Sequence, residues 1–470
     1  MVYSPPGDAN LPGLTNIMLE MVLSDPLVDH IQAIQEGQSD NFWSFKGAAR
    51  RKGAHALIHY PAMMVPTLQG RLLDAIKQAH PKAKTVLDPF VGSGTILVES
   101  MSRGFDFTGL DINPLATLAC LAKSGPYFLQ AFSEKCDSLS SRICADNQRS
   151  YYTSFQGRAK WFSDSVSLEL SKIARGIEEE PQLWARRLFW LAMAKVIRIT
   201  CNSRMSTYKL HIKPADACSD RDPIALFKDV LTEFAQHLRD QHEQWTAQGL
   251  LQRGRYIGRI DIHLGDSRYL LGEQGIAKSF DVVMTSPPYG DNATTIPYGQ
   301  YSYLPMQWIS KEDVCSGMSS ILLENTHGID SASLGGSRRE AISRGVELMR
   351  KYDSAKQFGE GMPRESSEFK RFSAFFSDLE DCLEKICDAT NVAGYQTWTI
   401  GNRHLGGRRV PMEKILVEML AERQVQTVAR IRRSIHAKKM AYRNSLAPTM
   451  DSETILVARK AKADRFTGSH

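Results

Sequence analysis

The sequence predicts an α/β protein in which a large helical insert interrupts a mostly parallel sheet. Two patterns predict this class. The apolar run at residues 85–87 leads into a glycine loop and a helix that begins at Thr95, which is the start of a βαβ unit. The apolar run at 281–284 stops before Pro287 and Pro288, as a buried strand does when it enters a rigid loop.

The first unit reads TVLDPFVGSGT over residues 85–95. Gly92 and Gly94 allow a tight turn and let a ligand approach the main chain without a Cβ in the way. A second strand, 107–111, ends at Asp111 about twenty residues on, where nucleotide-binding folds place a carboxylate for ribose hydroxyls. The unit therefore offers a nucleoside site.

The second unit ends in the loop TSPPYG at residues 285–290. Its prolines fix the backbone and lack N–H groups, so nearby carbonyls are left as acceptors beside the Ser286 hydroxyl and the Tyr289 ring. Such a loop suits a flat group that carries an amine. The alternative is an ordinary turn after a strand, since Pro-Pro marks loops of many kinds.

The DPFxGxGT loop, the acidic strand end and the TSPPY loop together resemble the amino-group DNA methyltransferases, which methylate cytosine or adenine amines with S-adenosylmethionine. The resemblance implies a Rossmann-like methyltransferase fold with a mostly parallel seven-stranded sheet and helices on both faces. The segments that extend it are 59–64, 261–266, 395–402 and 453–457. The cofactor loop precedes the catalytic loop here, whereas the DPFxGxGT form is commonest in the reverse order.

The resemblance also implies the cofactor contacts. Asp88 is expected to meet the methionine amino group of S-adenosyl-L-methionine, and Gly92 and Gly94 to allow close backbone approach. Asp111 is expected at the ribose and Asp266 at the adenine amine. The other implied cofactor residues are His59, Pro61, Pro89, Phe90, Thr95 and Ile112.

The catalytic residues that the resemblance implies are Ser286, Pro287, Pro288 and Tyr289. The Ser286 hydroxyl and the Pro287 carbonyl would accept hydrogen bonds from the amine, which localises its lone pair and stabilises the developing positive charge. Tyr289 offers a ring on which a flipped base can stack. No covalent intermediate is required.

Ser286 favours cytosine N4 as the target, because family members with serine at this position are mostly cytosine-N4 enzymes. Adenine N6 stays open. So do an RNA guanine-N2 methyltransferase and a non-catalytic nucleic-acid-binding protein with a degenerate fold. No cysteine follows a proline as the base-attacking cysteine does in C5-cytosine methyltransferases, which argues against methylation of a ring carbon.

Composition predicts a cytoplasmic enzyme. The 470 residues are 42% hydrophobic, no apolar stretch is long enough to cross a bilayer, and the N-terminus lacks a signal-peptide pattern. The eight cysteines show no CxxC pair or zinc-ligand spacing, so no metal site is expected. Double-stranded DNA is the expected partner, and a cognate restriction endonuclease is a further candidate.

Two basic regions are candidate DNA contacts. From Arg403 to the end the chain has 15 Lys and Arg against 6 Asp and Glu, although the whole chain carries only +6. The candidates there are Arg432, Arg433, Lys438 and Lys439, and those in the polar run 200–211 are Asn202, Arg204, Ser206 and Lys209. The alternatives are a solvated charged face and a loop that packs locally.

The chain divides into four predicted parts. In an N-terminal arm, 1–58, residues 1–40 are expected to be peripheral and residues 41–58 to hold a small basic aromatic patch. The catalytic domain comprises 59–120, 258–314 and 371–460. The insert 121–257, with helices near 184–193 and 226–231, and the Gly-rich segment 315–370, a mobile loop or cover, are the two candidates for target recognition.

Overall fold

A computed structural model describes residues 19–39, 42–45, 51–214, 221–272, 276, 279–292, 295–316, 318–435 and 452–461. The strands among them are β1 (Leu19–Met21), β2 (Thr85–Asp88), β3 (Asp106–Asp111), β4 (Leu251–Gln252), β5 (Arg255–Tyr256), β6 (Ile260–Leu264), β7 (Phe280–Thr285), β8 (Thr390–Gly401), β9 (His404–Leu405), β10 (Arg408–Arg409), β11 (Val425–Ser434) and β12 (Ser452–Lys460).

The helices are α1 (Pro26–Gln35), α2 (Pro66–Ala79), α3 (Thr95–Met101), α4 (Pro114–Lys123), α5 (Leu129–Ala145), α6 (Arg158–Trp161), α7 (Asp164–Glu178), α8 (Leu183–Thr200), α9 (Pro223–Ala247), α10 (Ser267–Leu270), α11 (Tyr298–Met306), α12 (Lys311–Val314), α13 (Gly328–Ala332), α14 (Ala341–Lys351), α15 (Asp353–Gly359), α16 (Ser367–Ala389) and α17 (Met412–Glu422). In the described part of the chain, none of them has the length and apolar character needed to cross a membrane.

The main sheet has the strand order β1-β11-β12-β8-β7-β2-β3-β6. Strands β6, β3, β2, β7 and β8 run parallel, whereas β12, β11 and β1 are antiparallel to their neighbours. The prediction of seven strands was wrong by one. The eighth is β1, whose Leu19 and Met21 pair with Ile431 and Ala429 at the outer edge of β11.

Helices cover both faces of this sheet. Consecutive residues of the central strands pack in two different hydrophobic cores, one on each face. Val86 and Val282 pack with the core that includes α2 to α4, α8 and α9. Leu87 and Val283 pack with the opposite core, under α14 to α17. Side chains alternate along a strand, so a strand that is apolar at every position needs cover on both sides.

The N-terminal arm is not peripheral where it is described. Trp43, at the centre of the predicted basic aromatic patch, is fully buried. Asp25 caps α1 through the backbone N–H of Leu27, and its carboxylate also binds the Arg459 guanidinium at 2.8 Å. The arm therefore completes the core beside β12 and α2, where its apolar residues are removed from water.

The two interruptions of the sheet are both largely helical. Residues 121–257 form α5 to α9, and the helices predicted near 184–193 and 226–231 are α8 and α9. The segment 315–370 contains α13, α14 and α15, and α14 packs against α16. Target recognition by either segment, and movement of the second, stay predictions.

Asp281 joins the beginnings of three central strands. One carboxylate oxygen accepts hydrogen bonds from the Lys84 and Thr85 backbone N–H groups at 2.8 and 3.1 Å, and the other accepts one from Asn391 at 2.8 Å. Burial by itself would raise the pKa of Asp281, but the accepted hydrogen bonds lower it below its ordinary value. The ionised carboxylate thus stabilises the alignment of β2, β7 and β8.

We expect Asp281→Ala to lower the free energy of unfolding by about 2–3 kcal/mol at pH 7, because several buried donors lose a charged acceptor. The lowered pKa means that this stabilisation is lost as the pH falls, so the difference from the wild type should shrink below about pH 4. Denaturant unfolding of the variant and the wild type at pH 7 and below about pH 4 measures this difference in stability. The exposed Asp388 at the end of α16 is the control, and Asp388→Ala should change stability by no more than about 0.5 kcal/mol.

Candidate active site

The glycine loop and the TSPPYG loop lie side by side because they follow adjacent parallel strands. β2 pairs with β7 through Val86 and Val282, and with β3 on its other side. The strand order reverses between β2 and β7, which is where open α/β sheets bind ligands at the carboxyl ends of their strands. A cavity of about 760 Å³ opens at this edge.

Most of the predicted site residues line this cavity. They are Pro61, Pro89, Phe90, Gly92, Thr95, Asp111, Ile112, Lys209, Asp266, Ser286, Pro287, Pro288 and Tyr289. His59, Asp88 and Gly94 are described but are not among the lining residues. The tertiary structure thus brings the two motifs, about two hundred residues apart in the chain, to one cavity.

Asp88 lies fully buried beneath the cavity wall, between two loops. Its Oδ1 accepts hydrogen bonds from the Thr285 hydroxyl at 2.6 Å and the Phe90 backbone N–H at 3.1 Å. Its Oδ2 has no hydrogen-bond partner among the described residues. Burial raises the pKa of Asp88 to about 7, although the two accepted bonds oppose the shift. A buried carboxylate oxygen without a partner suits a ligand that carries a positive charge.

Gly92 and Gly94 both have a positive φ, but their surroundings differ. Gly92 lines the cavity with a φ of 50°, and its N–H donates to Asp111 Oδ2 at 2.8 Å. Gly94, with a φ of 74°, precedes α3, and a Cβ there would lie 3.0 Å from the Cys120 sulfur. Both φ values lie in the left-handed region that favours glycine, and at Gly94 the close packing against α4 adds to this requirement.

Asp111 ends β3 and lines the cavity as predicted. Besides the bond from Gly92, it accepts the Asn113 N–H at 2.8 Å on its other oxygen. Burial raises the pKa of Asp111 to about 6, and these backbone hydrogen bonds limit the rise. The glycine loop is also held from below by Lys123, whose buried Nζ donates to the Ser93 carbonyl at 2.6 Å. Burial lowers the pKa of Lys123 to about 8.

Asp266 lies at the cavity wall two residues after β6. It caps α10 through the Arg268 N–H at 2.9 Å, and its carboxylate also pairs with the Arg268 guanidinium at 2.6 Å. Arg268 contacts Asp378 at 2.9 Å as well. The Asp266 charge is therefore compensated within the protein, and its contact with an adenine amine stays a prediction.

The segment 59–64 reaches the cavity through Tyr60 and the residues after it, not through His59. The His59 carbonyl instead accepts a hydrogen bond from the Tyr301 hydroxyl. Tyr60 is stacked on Tyr298 with ring centres 5.7 Å apart, and its hydroxyl accepts a bond from Asn113 at 2.8 Å. Tyr60 and Tyr298 thus form an aromatic part of the cavity wall, and Tyr60 lies next to Gly92.

The TSPPYG loop is connected to strand β12 by a chain of hydrogen bonds. Ser286 Oγ lies 3.2 Å from the Tyr289 hydroxyl, which donates to Glu453 Oε1 at 3.1 Å. Glu453 Oε2 accepts two bonds from the Arg433 guanidinium, at 2.9 and 2.5 Å. Burial, and next the Glu453 charge, raise the pKa of Tyr289 well above its ordinary value. Glu453 begins the segment 453–457 that extends the family resemblance, but its contact with the TSPPYG loop was not predicted from the sequence.

The β9–β10 hairpin is anchored to the same loop. Arg403 pairs with the buried Asp291 carboxylate at 2.8 Å. A Cβ at Gly290 would lie 1.6 Å from the Arg403 guanidinium, so only glycine allows this approach. Residues 403–407 line the cavity, while Arg408 and Arg409 are exposed. This hairpin was not predicted from the sequence, although its GGRR run indicates a tight turn with adjacent charges.

The residues predicted to contact nucleic acid are spread over several environments. Lys209 is exposed and lines the cavity, Arg204 and Ser206 are exposed on the same loop, and Asn202 is half-buried. Arg432 is half-exposed and lies 3.4 Å from Glu20, whereas Arg433 is only 10% exposed beside Glu453. Lys438 and Lys439 lie outside the described residues. Contact of these residues with DNA stays a prediction, and the structure shows Arg433 paired with Glu453.

A search of protein-family models finds none that matches this chain. The chain is 26% identical to the type II methyltransferase M.MvaI of Kocuria varians over 441 residues, which are 90% of this chain and 94% of that protein. It is also 33% identical to the type II methyltransferase M.MjaII of Methanocaldococcus jannaschii, but over only 81 residues, 17% of this chain and 15% of the relative.

Two solved structures of the rRNA methyltransferase aviRa from Streptomyces viridochromogenes align with 12% identity and a TM-score of 0.32. These alignments cover 87% and 89% of this chain, and 91% and 97% of the aviRa chains. A similarity this low supports no conclusion. The doubly covered sheet, the cavity at its strand order reversal and the similarity to M.MvaI along nearly the whole chain support a methyltransferase.

Asp88→Asn should change the pH dependence of stability. Between about pH 4 and pH 7 the folded protein holds a proton on Asp88 that the unfolded chain has lost, so the free energy of unfolding falls as the pH rises. Asparagine keeps both bonds at Oδ1 and does not titrate. We expect the stability of the variant relative to the wild type to rise by about 2–4 kcal/mol between pH 5 and pH 8, since one pKa unit is about 1.4 kcal/mol.

Denaturant unfolding of both proteins at pH 5 and pH 8 measures this double difference. The titrating groups that do not interact with Asp88 are present in both proteins and cancel, whereas the charge of Asp111 is itself one of the causes that raise the pKa of Asp88. A stability difference that is the same at the two pH values would contradict the assignment of a raised pKa to Asp88.

Proposed function

We propose that this chain is a site-specific DNA methyltransferase that moves the methyl group of S-adenosylmethionine to the exocyclic amine of a flipped base, most consistently cytosine N4. One observation carries the proposal: the glycine loop and the TSPPYG loop open into a single cavity, so a methyl donor and an amine would meet there. The similarity to M.MvaI over nearly the whole chain supports it.

The cavity fits the proposed cofactor by the chemistry of its donors and acceptors. The partnerless Oδ2 of Asp88 suits the ammonium of the methionine end, and the Gly92 backbone leaves room beside it. Asp111 would meet the ribose, and Asp266 and Phe90 the adenine. When bound, S-adenosylmethionine supplies an electrophilic methyl group.

Residues of the catalytic loop would prepare the amine. The amine lone pair is delocalised into the ring, and two acceptors aimed at its hydrogens favour a localised, nucleophilic pair. Ser286 and Pro287 both line the cavity, which supports this role for the Ser286 hydroxyl and the Pro287 carbonyl. Because they are fixed before the substrate arrives, they also stabilise the positive charge that develops on nitrogen.

DNA as the substrate is supported by the naming of M.MvaI as a type II methyltransferase and by charge at the cavity mouth. Arg408 and Arg409 are exposed on a hairpin whose turn lines the cavity, and neither has an ion-pair partner among the described residues. Lys209 reaches the cavity from the insert. These side chains would neutralise phosphates on either side of a flipped nucleotide.

Transfer of tritium from labelled S-adenosylmethionine to duplex DNA and to transfer RNA tests the proposal. We expect label in DNA alone, and sequencing of the product identifies the modified base and its site. Ser286→Ala should lower kcat by about a hundredfold because the amine loses one aligned acceptor, with cofactor affinity unchanged. Label in RNA alone, or full activity of Ser286→Ala, would contradict the proposal.

The two hairpin arginines should contribute to DNA affinity in a salt-dependent way. We expect Arg408→Ala/Arg409→Ala to weaken DNA binding about tenfold near 100 mM salt and to lower the slope of log K against log salt by about 1–2. The matched control is Arg253→Ala/Arg255→Ala, because both residues are exposed on the β4–β5 hairpin. That hairpin contacts Phe105 at the opposite edge of the sheet. Equal losses in the two double variants would refute a specific role for Arg408 and Arg409.

A further inference from the structure

We infer that Glu453 acts through Tyr289 to hold the Ser286 hydroxyl as a hydrogen-bond acceptor towards the target amine, and that it receives the proton which methylation releases. This inference rests on the proposed function and deepens it. It assigns a positioning residue that lies about 160 residues from the catalytic loop and outside its motif.

The direction of the hydrogen bonds follows from the number of hydrogens available. A carboxylate has only acceptor sites, and a tyrosine hydroxyl has one hydrogen. Tyr289 gives that hydrogen to Glu453 Oε1 at 3.1 Å. At 3.2 Å from Tyr289, the Ser286 hydroxyl must then be the donor of the pair. Its own hydrogen is used there, and its lone pairs stay available for the hydrogens of an amine.

Arg433 keeps this arrangement in register. Its guanidinium donates twice to Glu453 Oε2, so the other oxygen is presented to Tyr289. Arg433 and Glu453 are opposite each other in the β11–β12 ladder and are only 10% and 11% exposed. A pair held at adjacent strands with little access to water loses little conformational entropy when it orients a third group.

The hydrogen bonds from Ser286 through Tyr289 to Glu453 also offer a path for the proton that the methylated amine releases. Methylation forms the N–C bond and breaks the C–S bond, and the positive charge passes from sulfur to nitrogen. The methylated nitrogen then loses one proton to Ser286 Oγ, while the Ser286 proton moves to Tyr289 and the Tyr289 proton to Glu453. The products are a neutral methylamine, a neutral thioether and a neutral Glu453 carboxyl, which returns its proton to water.

Glu453→Gln should reverse the direction of the hydrogen bonds from Ser286 through Tyr289 to residue 453, and not merely weaken them. The glutamine oxygen is retained by Arg433, so its NH₂ group faces Tyr289 and becomes a donor. Tyr289 then donates to Ser286, and the Ser286 hydrogen points at the amine. We expect kcat to fall about a hundredfold, with affinities for S-adenosylmethionine and DNA within about twofold of the wild type.

Tyr289→Phe interrupts the chain and leaves Ser286 free to rotate, so we expect a loss of only about five- to tenfold. In Tyr289→Phe/Glu453→Gln the glutamine can no longer reach Ser286. The double variant should therefore recover to the rate of Tyr289→Phe, within about twofold. A merely structural role of Glu453 would give no such recovery, because the damage would not pass through the Tyr289 hydroxyl.

Glu380→Gln is the matched control. Glu380 also accepts bonds from a tyrosine hydroxyl, that of Tyr352 at 2.8 Å, and lies 3.6 Å from the Arg423 guanidinium, but it does not line the cavity. Its rates should equal those of the wild type. Should Glu453→Gln fail to fold, Glu453→Asp against Glu453→Asn repeats the comparison, with only the aspartate retaining activity.

The role of Glu453 is tested by measuring methyl transfer by all variants to the same duplex DNA. Melting temperature and cofactor affinity are measured on the same samples. Additive losses in the double variant, or equal activity of Glu453→Gln and the wild type, would overturn the role of Glu453 and leave the proposed function intact. A wild-type chain that methylates neither DNA nor RNA would overturn both.

Discussion

The pairing of β2 with β7 is the constraint on which the site depends. These two strands carry the glycine loop and the TSPPYG loop at their carboxyl ends, and they are adjacent although about two hundred residues separate them in the chain. Asp281 ties their beginnings, and the bond from Thr285 to Asp88 ties their ends. The distance between the two halves of the cavity is thus determined by backbone pairing in the buried centre of the sheet.

The ionisable groups beneath the glycine loop are buried, and burial disfavours their charged forms. Burial shifts the pKa of Asp88 and Asp111 upward and that of Lys123 downward, because a buried group is costly to ionise. Such groups are retained where a bound ligand can satisfy them. The carboxylate oxygen without a partner on Asp88 is the clearest example, since its neighbours satisfy only the other oxygen.

The antiparallel half of the sheet also belongs to the site. Glu453 on β12 and Arg433 on β11 hold the Tyr289 hydroxyl, and Arg403 after β8 holds the loop beyond Gly290. The TSPPYG loop is therefore held at Tyr289 by a hydrogen bond to Glu453, and Asp291, directly after the loop, is held by an ion pair with Arg403. Both partners follow the loop by more than a hundred residues. A rigid loop can present acceptors without reorganisation when a substrate amine arrives.

Local sequence patterns were sufficient to predict several strands and helices and the two main motifs. Apolar runs predicted β2 and β7, a glycine loop predicted the beginning of α3 at Thr95, and helical periodicity predicted α8 and α9, because periodicity and turn chemistry are encoded within a few residues. Contacts between distant segments were beyond such patterns. The eighth strand β1 and the burial of Trp43 depend on where the N-terminal segment meets the sheet.

The same division applies to the cavity. The sequence alone determined that Gly92, Asp111 and the residues from Ser286 to Tyr289 are suited to a nucleoside and an amine, since their chemistry resides in the residues themselves. Only the tertiary structure decided that Gly94 packs against α4, that His59 does not line the cavity and that Arg433 pairs with Glu453. The physical reason is that the direction of a side chain depends on partners that the fold brings from elsewhere in the chain.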